Sequence, residues 1–131
     1  MVQIKSYTDI EQSKKLAEIL PLDTADMSWK YQKDKWVGEP DYREWPEFEK
    51  ATDRRDIPCW SLAALLELLP YEICDDDGES NFLSIDKEDD KYHLVYSDPQ
   101  GYFDSIESDR FDNCVDACYE MIMKLNEENL L

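Results

Sequence analysis

The sequence predicts an α+β domain: a three- to four-stranded antiparallel meander packed on one face by about three helices, in two layers. Three observations predict it. Apolar residues recur at spacings of three and four in three stretches, near the N-terminus, over 57–70 and near the C-terminus. Between Tyr71 and Ile106 the period falls to two. The connectors in that central stretch are also too short for parallel crossovers. The 131 residues suit a single domain, 1–131, and 42% apolar residues supply a core despite a net charge of −18.

The first helix is expected over 8–20. Thr8 and Glu11 have capping-box spacing, Ile10, Leu16, Ala17, Ile19 and Leu20 form its apolar side, and Pro21 stops it. A short strand is expected before it, over 2–6. Met27, Trp29 and Tyr31 then alternate with Ser28 and Lys30 as a short strand would. From Gln32 to Asp56 no period is sustained. Residues 32–56 are therefore expected to be irregular, with helical turns near 42–48 shortening the loop. This segment is aromatic-rich, carrying Trp36, Tyr42, Trp45 and Phe48 directly after Trp29 and Tyr31.

Residues 57–70 read as a second helix with Pro58 in its first turn. Leu62, Leu65, Leu66 and Leu69 form its stripe, and it is expected at the centre of the domain. Strands follow over 71–74, 82–85, 92–96 and 102–106. They are joined by Asp75-Asp76-Asp77-Gly78, Lys87-Glu88-Asp89-Asp90 and Asp98-Pro99-Gln100-Gly101, each with recognised turn chemistry. The last helix runs over 112–126, capped by Asp112, with Val115, Cys118, Ile122 and Leu125 as its stripe.

Composition removes several functions. Net −18 leaves no footprint for direct nucleic-acid binding or for an anionic membrane surface, and no run of about 18 apolar residues spans a bilayer. Three glycines leave no room for a phosphate cradle, and one histidine, His93, makes imidazole catalysis a single-residue matter. Met1 to Tyr7 lacks the features of a signal peptide. The four cysteines, Cys59, Cys74, Cys114 and Cys118, are then expected to stay reduced in the cytoplasm.

Four segments carry a resemblance: IPCWSLAALLELLP at 57–70, EQSKKLA at 11–17, ILPL at 19–22 and NCVDAC at 113–118. Together they resemble small uncharacterised acidic α+β proteins of gut bacteria and their phages. The resemblance covers most of the chain outside 30–56. It implies a compact domain carried by a mobile element, favours host–phage interaction over metabolism, and transfers no catalytic residue.

The candidate constellations each have a plainer counterpart. Asp75, Asp76, Asp77 and Glu79 resemble a calcium loop, but aligning Gly78 with the required glycine puts Ile73 and Ser84 at the outer ligand positions, so the EF-hand match fails. An irregular Ca²⁺ or Mg²⁺ site would only need converging oxygens, but a solvated turn explains these residues better. Cys114 and Cys118 lie four apart on one helix face. A zinc site would have to recruit the scattered Cys59, Cys74 or His93, whereas core packing needs nothing further. Asp112, Asp116 and Glu120 are expected to suppress a reactive thiolate there. His93, with Ser84, Ser97 and nearby carboxylates, has no spacing that selects a triad.

The charge is uneven. Up to Trp60 there are 10 basic and 13 acidic residues, net −3; after it, 4 basic and 19 acidic, net −15. The reading that joins these features is a non-enzymatic interaction module for a basic protein partner, without cofactor or metal. Asp75, Asp76, Asp77, Glu79, Glu88, Asp89 and Asp90 would supply the electrostatics, and Trp36, Tyr42 and Trp45 the contact area. Two alternatives remain: a carboxylate or divalent-metal hydrolase or ligand-binding domain, and a DNA-mimic inhibitor from a mobile element. Oligomeric state is not legible in the sequence.

Overall fold

The computed structural model describes residues 4–32, 35–40 and 56–131, with residues 31, 32 and 35–40 described by their backbone. The chain forms an α+β fold of two compact units, one of Ser6–Leu65 and the other of the N-terminal residues to Lys5 with Leu66–Leu131.

In the Ser6–Leu65 unit, helix α1 (Ile10–Ile19) packs against strand β3 (Ile57–Cys59). Strand β3 belongs to a three-stranded antiparallel sheet of order β2-β1-β3, with β1 at Met27–Gln32 and β2 at Lys35–Pro40. The cap of α1 is one residue later than the sequence suggests. Asp9 accepts from Gln12 N at 2.8 Å while the Gln12 side chain accepts from Asp9 N at 3.1 Å. Thr8 is freed for a different task. Its hydroxyl lies fully buried, 2.7 Å from Ser13 Oγ, and accepts from Trp60 N at 3.2 Å. Trp60 is itself fully buried and donates its Nε1–H to Thr24 Oγ1 at 2.9 Å. Beside it the Cys59 thiol donates to Thr8 O at 3.4 Å, and burial pushes it up to about 11.

Two expectations are corrected in this unit. Gln32 and Lys35–Pro40 are not irregular, because β2 pairs with β1 from Gln32↔Lys35 to Met27↔Pro40. Residues 41–55, with the helical turns expected near 42–48, lie outside the described residues. The expected second helix also starts late. Ile57–Cys59 is an edge strand, where Pro58 opposite Ser28 needs no N–H. Helix α2 spans only Leu62–Leu68. Ser61 caps it, accepting from Ala64 N at 3.2 Å while donating to Asp26. Rather than being central throughout, α2 buries Leu65 completely and exposes Leu66.

The Leu66–Leu131 unit contains the predicted meander: strands β4 (Glu72–Cys74), β5 (Ser80–Glu88), β6 (Lys91–Ser97) and β7 (Asp104–Glu107), adjacent in that order and antiparallel. Helix α3 (Cys114–Glu127) packs against β6, with Val115, Cys118, Ile122 and Leu125 fully buried as their spacing predicts. Leu94 and Tyr96 of β6 are equally buried, and the Tyr96 hydroxyl donates to Pro70 O at 2.5 Å. Each such apolar side chain contributes about 1.5–3 kcal/mol by burial. The cap of α3 is Asn113, whose side chain accepts from Asp116 N at 2.8 Å, not Asp112.

The turns are built as their residues require. Gly78 and Gly101 have φ of +79° and +75°, and Gly101 N donates to Asp98 O at 2.9 Å. Asp89 and Asp90, at φ +51° and +61°, close a two-residue hairpin between β5 and β6.

Candidate binding surface of the meander

Register decides which residues share a face. Phe82, Ser84, Asp86 and Glu88 of β5 stand opposite Ser97, Val95, His93 and Lys91 of β6, so these eight lie on one side of the sheet. Leu83 and Ile85 lie on the other side, opposite Tyr96 and Leu94. A cleft lies toward each end of the β5–β6 pair.

At the Asp89–Asp90 end, a cleft of about 520 Å³ is lined by Ile85, Asp86, Lys87, Glu88, Lys91, His93 and Arg110. Three of the four basic residues found after Trp60 are gathered here. Their charges are largely spent on neighbours. Arg110 Nη1 is 3.4 Å from Glu88 Oε2, Lys91 pairs with Asp112, and His93 Nε2 stands 3.4 Å from Glu107 Oε2. Lys87 sits over the Tyr92 ring at 5.2 Å. Carboxylates and cations interleave here, so the cleft has no single sign of charge to offer.

The opposite end is different. The β4–β5 turn and the β6–β7 turn lie side by side there, because β6 runs back along β5. A cleft of about 430 Å³ is lined by Tyr71, Phe82, Ser84, Ser97, Asp98, Pro99, Gln100 and Gly101. The rings of Tyr71 and Phe82 are 5.4 Å apart. Three large side chains are open to solvent: Tyr71 at 74%, Tyr102 at 80% and Phe103 at 75%. Tyr102 and Phe103 follow Gly101 directly at the end of the β6–β7 turn. Asp76, Asp77 and Glu79 in the β4–β5 turn and Asp104 at the start of β7 are exposed as well. Among the described residues no lysine or arginine pairs with any of these four.

Asp75 has another role. Its carboxylate accepts from Asp77 N at 3.0 Å, Glu79 N at 2.8 Å and Asn81 Nδ2 at 3.3 Å. These bonds, led by the one from Glu79 N, hold its pKa below the ordinary value of 3.8. Asp75 therefore shapes the turn, as an Asx cap does, and its oxygens are committed to the chain. Among the described residues no three His, Cys, Asp or Glu side chains are placed to hold a metal ion.

The acidic residues expected to act together are thus divided. Asp76, Asp77 and Glu79 sit at one end of β5, and Glu88, Asp89 and Asp90 at the other, about 27 Å away for a nine-residue strand. Of the expected aromatic contacts, Trp36 lies in β2 and is described by its backbone, while Tyr42 and Trp45 lie outside the described residues. Tyr71, Tyr102 and Phe103 were hidden in the sequence by their β-forming character, which placed them inside strands. The structure starts β4 at Glu72 and β7 at Asp104, leaving all three just outside. Pro70 before Tyr71 and Pro99-Gln100-Gly101 before Tyr102 were the signals that could have shown this.

Among the described residues no helix is long and apolar enough to cross a membrane. No protein family matches the chain, and neither the curated proteins nor the solved structures contain a match, so the resemblance to proteins of gut bacteria and phages rests on the four sequence segments alone.

Proposed function

We propose that this chain is a non-enzymatic interaction module that holds a basic partner protein at the Tyr71–Phe103 end of the meander. One observation carries the proposal: the end of the meander with exposed Tyr71, Tyr102 and Phe103 also carries exposed Asp76, Asp77, Glu79 and Asp104, which no cation among the described residues neutralises. Rings supply rigid contact area at low entropy cost, and the carboxylate border selects lysine- and arginine-bearing segments and speeds their encounter. The partner class that fits is a basic segment interspersed with apolar side chains.

The test is capture of lysate proteins on immobilised wild-type chain and on a Tyr102→Ser, Phe103→Ser double variant. It is run at about 0.01 M and about 1 M salt, where the screening length falls from about 30 Å to about 3 Å. A basic protein retained by the wild type at low salt, released at high salt and lost from the variant supports the proposal. Equal retention by wild type and variant overturns it.

A further inference from the structure

Away from this surface, helix α3 opens on two thiols. Cys114 occupies the first helical position, half-buried, and its Sγ lies 4.0 Å from the Sγ of fully buried Cys118 one turn on. The acids expected to suppress a thiolate there are otherwise engaged. Asp116 is 2.7 Å from Lys5 Nζ and accepts from Asn113 Nδ2 at 2.8 Å. Asp112 pairs with Lys91, and Glu120 accepts from Asp109 N at 2.7 Å and faces Lys124 at 3.9 Å. From β6, Tyr96 interacts with Cys118, and its phenol is itself pushed up by burial and by Cys118. The Cys118 thiol, donating to Cys114, lowers the Cys114 pKa against the cost of burial, while Cys118 is raised. The start of a helix favours negative charge as well.

We propose that Cys114 is a modification site: a reactive thiol, positioned by Cys118, that forms a mixed disulfide with low-molecular-weight disulfides. The Cys114 thiolate attacks one sulfur of the small disulfide. A new S–S bond forms as the old one breaks, and the other half leaves as a thiolate that takes its proton from solvent. Cys114 sulfur is oxidised and the departing half reduced, so electrons balance. The reaction stops there. Residues four apart in an intact helix hold their Cβ atoms about 5–6 Å apart, whereas a disulfide needs about 3.5–4.5 Å. Cys118 thus tunes Cys114 without closing on it.

Exposed Cys74 provides an internal control in the same molecule. The folded chain is treated with less than one equivalent of oxidised glutathione at about pH 7, and the modified cysteine is identified by peptide mass. Cys114 is expected to be modified first, by about fivefold over Cys74, despite its lower exposure. The pH midpoint of Cys114 modification is expected to rise by about one unit in Cys118→Ala and to return in Cys118→Ser, which keeps a donor. Preferential modification of Cys74, or a midpoint that Cys118→Ala leaves unchanged, overturns the proposal.

Discussion

The carboxylate of Asp98 accepts a hydrogen bond from the backbone N–H of Tyr102 at 2.7 Å, and a longer one from Phe103 N at 3.3 Å. One half-buried side chain therefore fixes the stretch of backbone that holds two exposed rings outward. The bonds are local, four and five residues along the chain, so the rings are presented in a set geometry without being buried.

The replacement Asp98→Ala should loosen that presentation. Ordering two freed side chains on binding costs about 0.5–1.5 kcal/mol each, so partner affinity is expected to fall about 5- to 150-fold. Asp98→Asn keeps an acceptor and should lose less. Calorimetric titration of each variant with the captured partner measures the difference, and equal affinities for wild type and Asp98→Ala would show the loop does not matter.

Thr8 is the polar centre of the Ser6–Leu65 unit. Thr8→Val keeps the shape but leaves Trp60 N without its acceptor and Ser13 Oγ without its hydroxyl partner in a buried place. A loss of about 1–3 kcal/mol is expected in urea denaturation. Ser13→Ala should cost less, because Trp60 N keeps its bond to Thr8.

Stability should fall on the alkaline side. Burial pushes the Tyr96 phenol from 10.0 up to about 12, so the unfolded chain gives up this proton first. Its contribution is complete below about pH 10 and is lost as pH rises toward 12. Cys59 acts in the same direction from 9.0 to about 11. The variant Tyr96→Phe should cost about 1 kcal/mol at neutral pH through the lost bond to Pro70, yet decline less steeply above pH 10. Urea midpoints followed against pH in both proteins would reveal parallel curves if this assignment were wrong.

On the acid side, Asp75 works the other way. Its carboxyl is held below the ordinary value of 3.8, so its contribution is present above that value and is lost as pH falls through the folded one. Asp75→Ala should flatten the acid limb of the stability curve and speed hydrogen exchange at Asp77 and Glu79. Unchanged exchange at those two amides would contradict the assignment.

How much of this was legible in the sequence depended on whether a residue's neighbours in the chain were also its neighbours in space. The stripe Val115, Cys118, Ile122, Leu125 was legible because helix period is local, and the Asp98–Gly101 turn because its chemistry is confined to four residues. The pairing of Lys35–Pro40 with Met27–Gln32 was not, since charges at Lys30, Lys33, Asp34 and Lys35 blur the alternation and leave only the partner strand to define it. Nor was the engagement of Asp116, because its partner Lys5 lies 111 residues away. The acidic surface was legible as a total but not as a distribution. That depended on the length of β5.

That length makes β5 a ruler. Its two acidic tips are about 27 Å apart, while charges in physiological salt cease to feel one another beyond about 8 Å. The large negative charge of the C-terminal part therefore does not act as one field. Each tip is an electrically separate pole, and a ligand shorter than the strand can engage one without sensing the other. The two poles also differ in kind: Arg110 faces Glu88 and Lys91 pairs with Asp112 at the Asp89–Asp90 end, so that pole is mixed while the Asp76–Glu79 pole stays acidic.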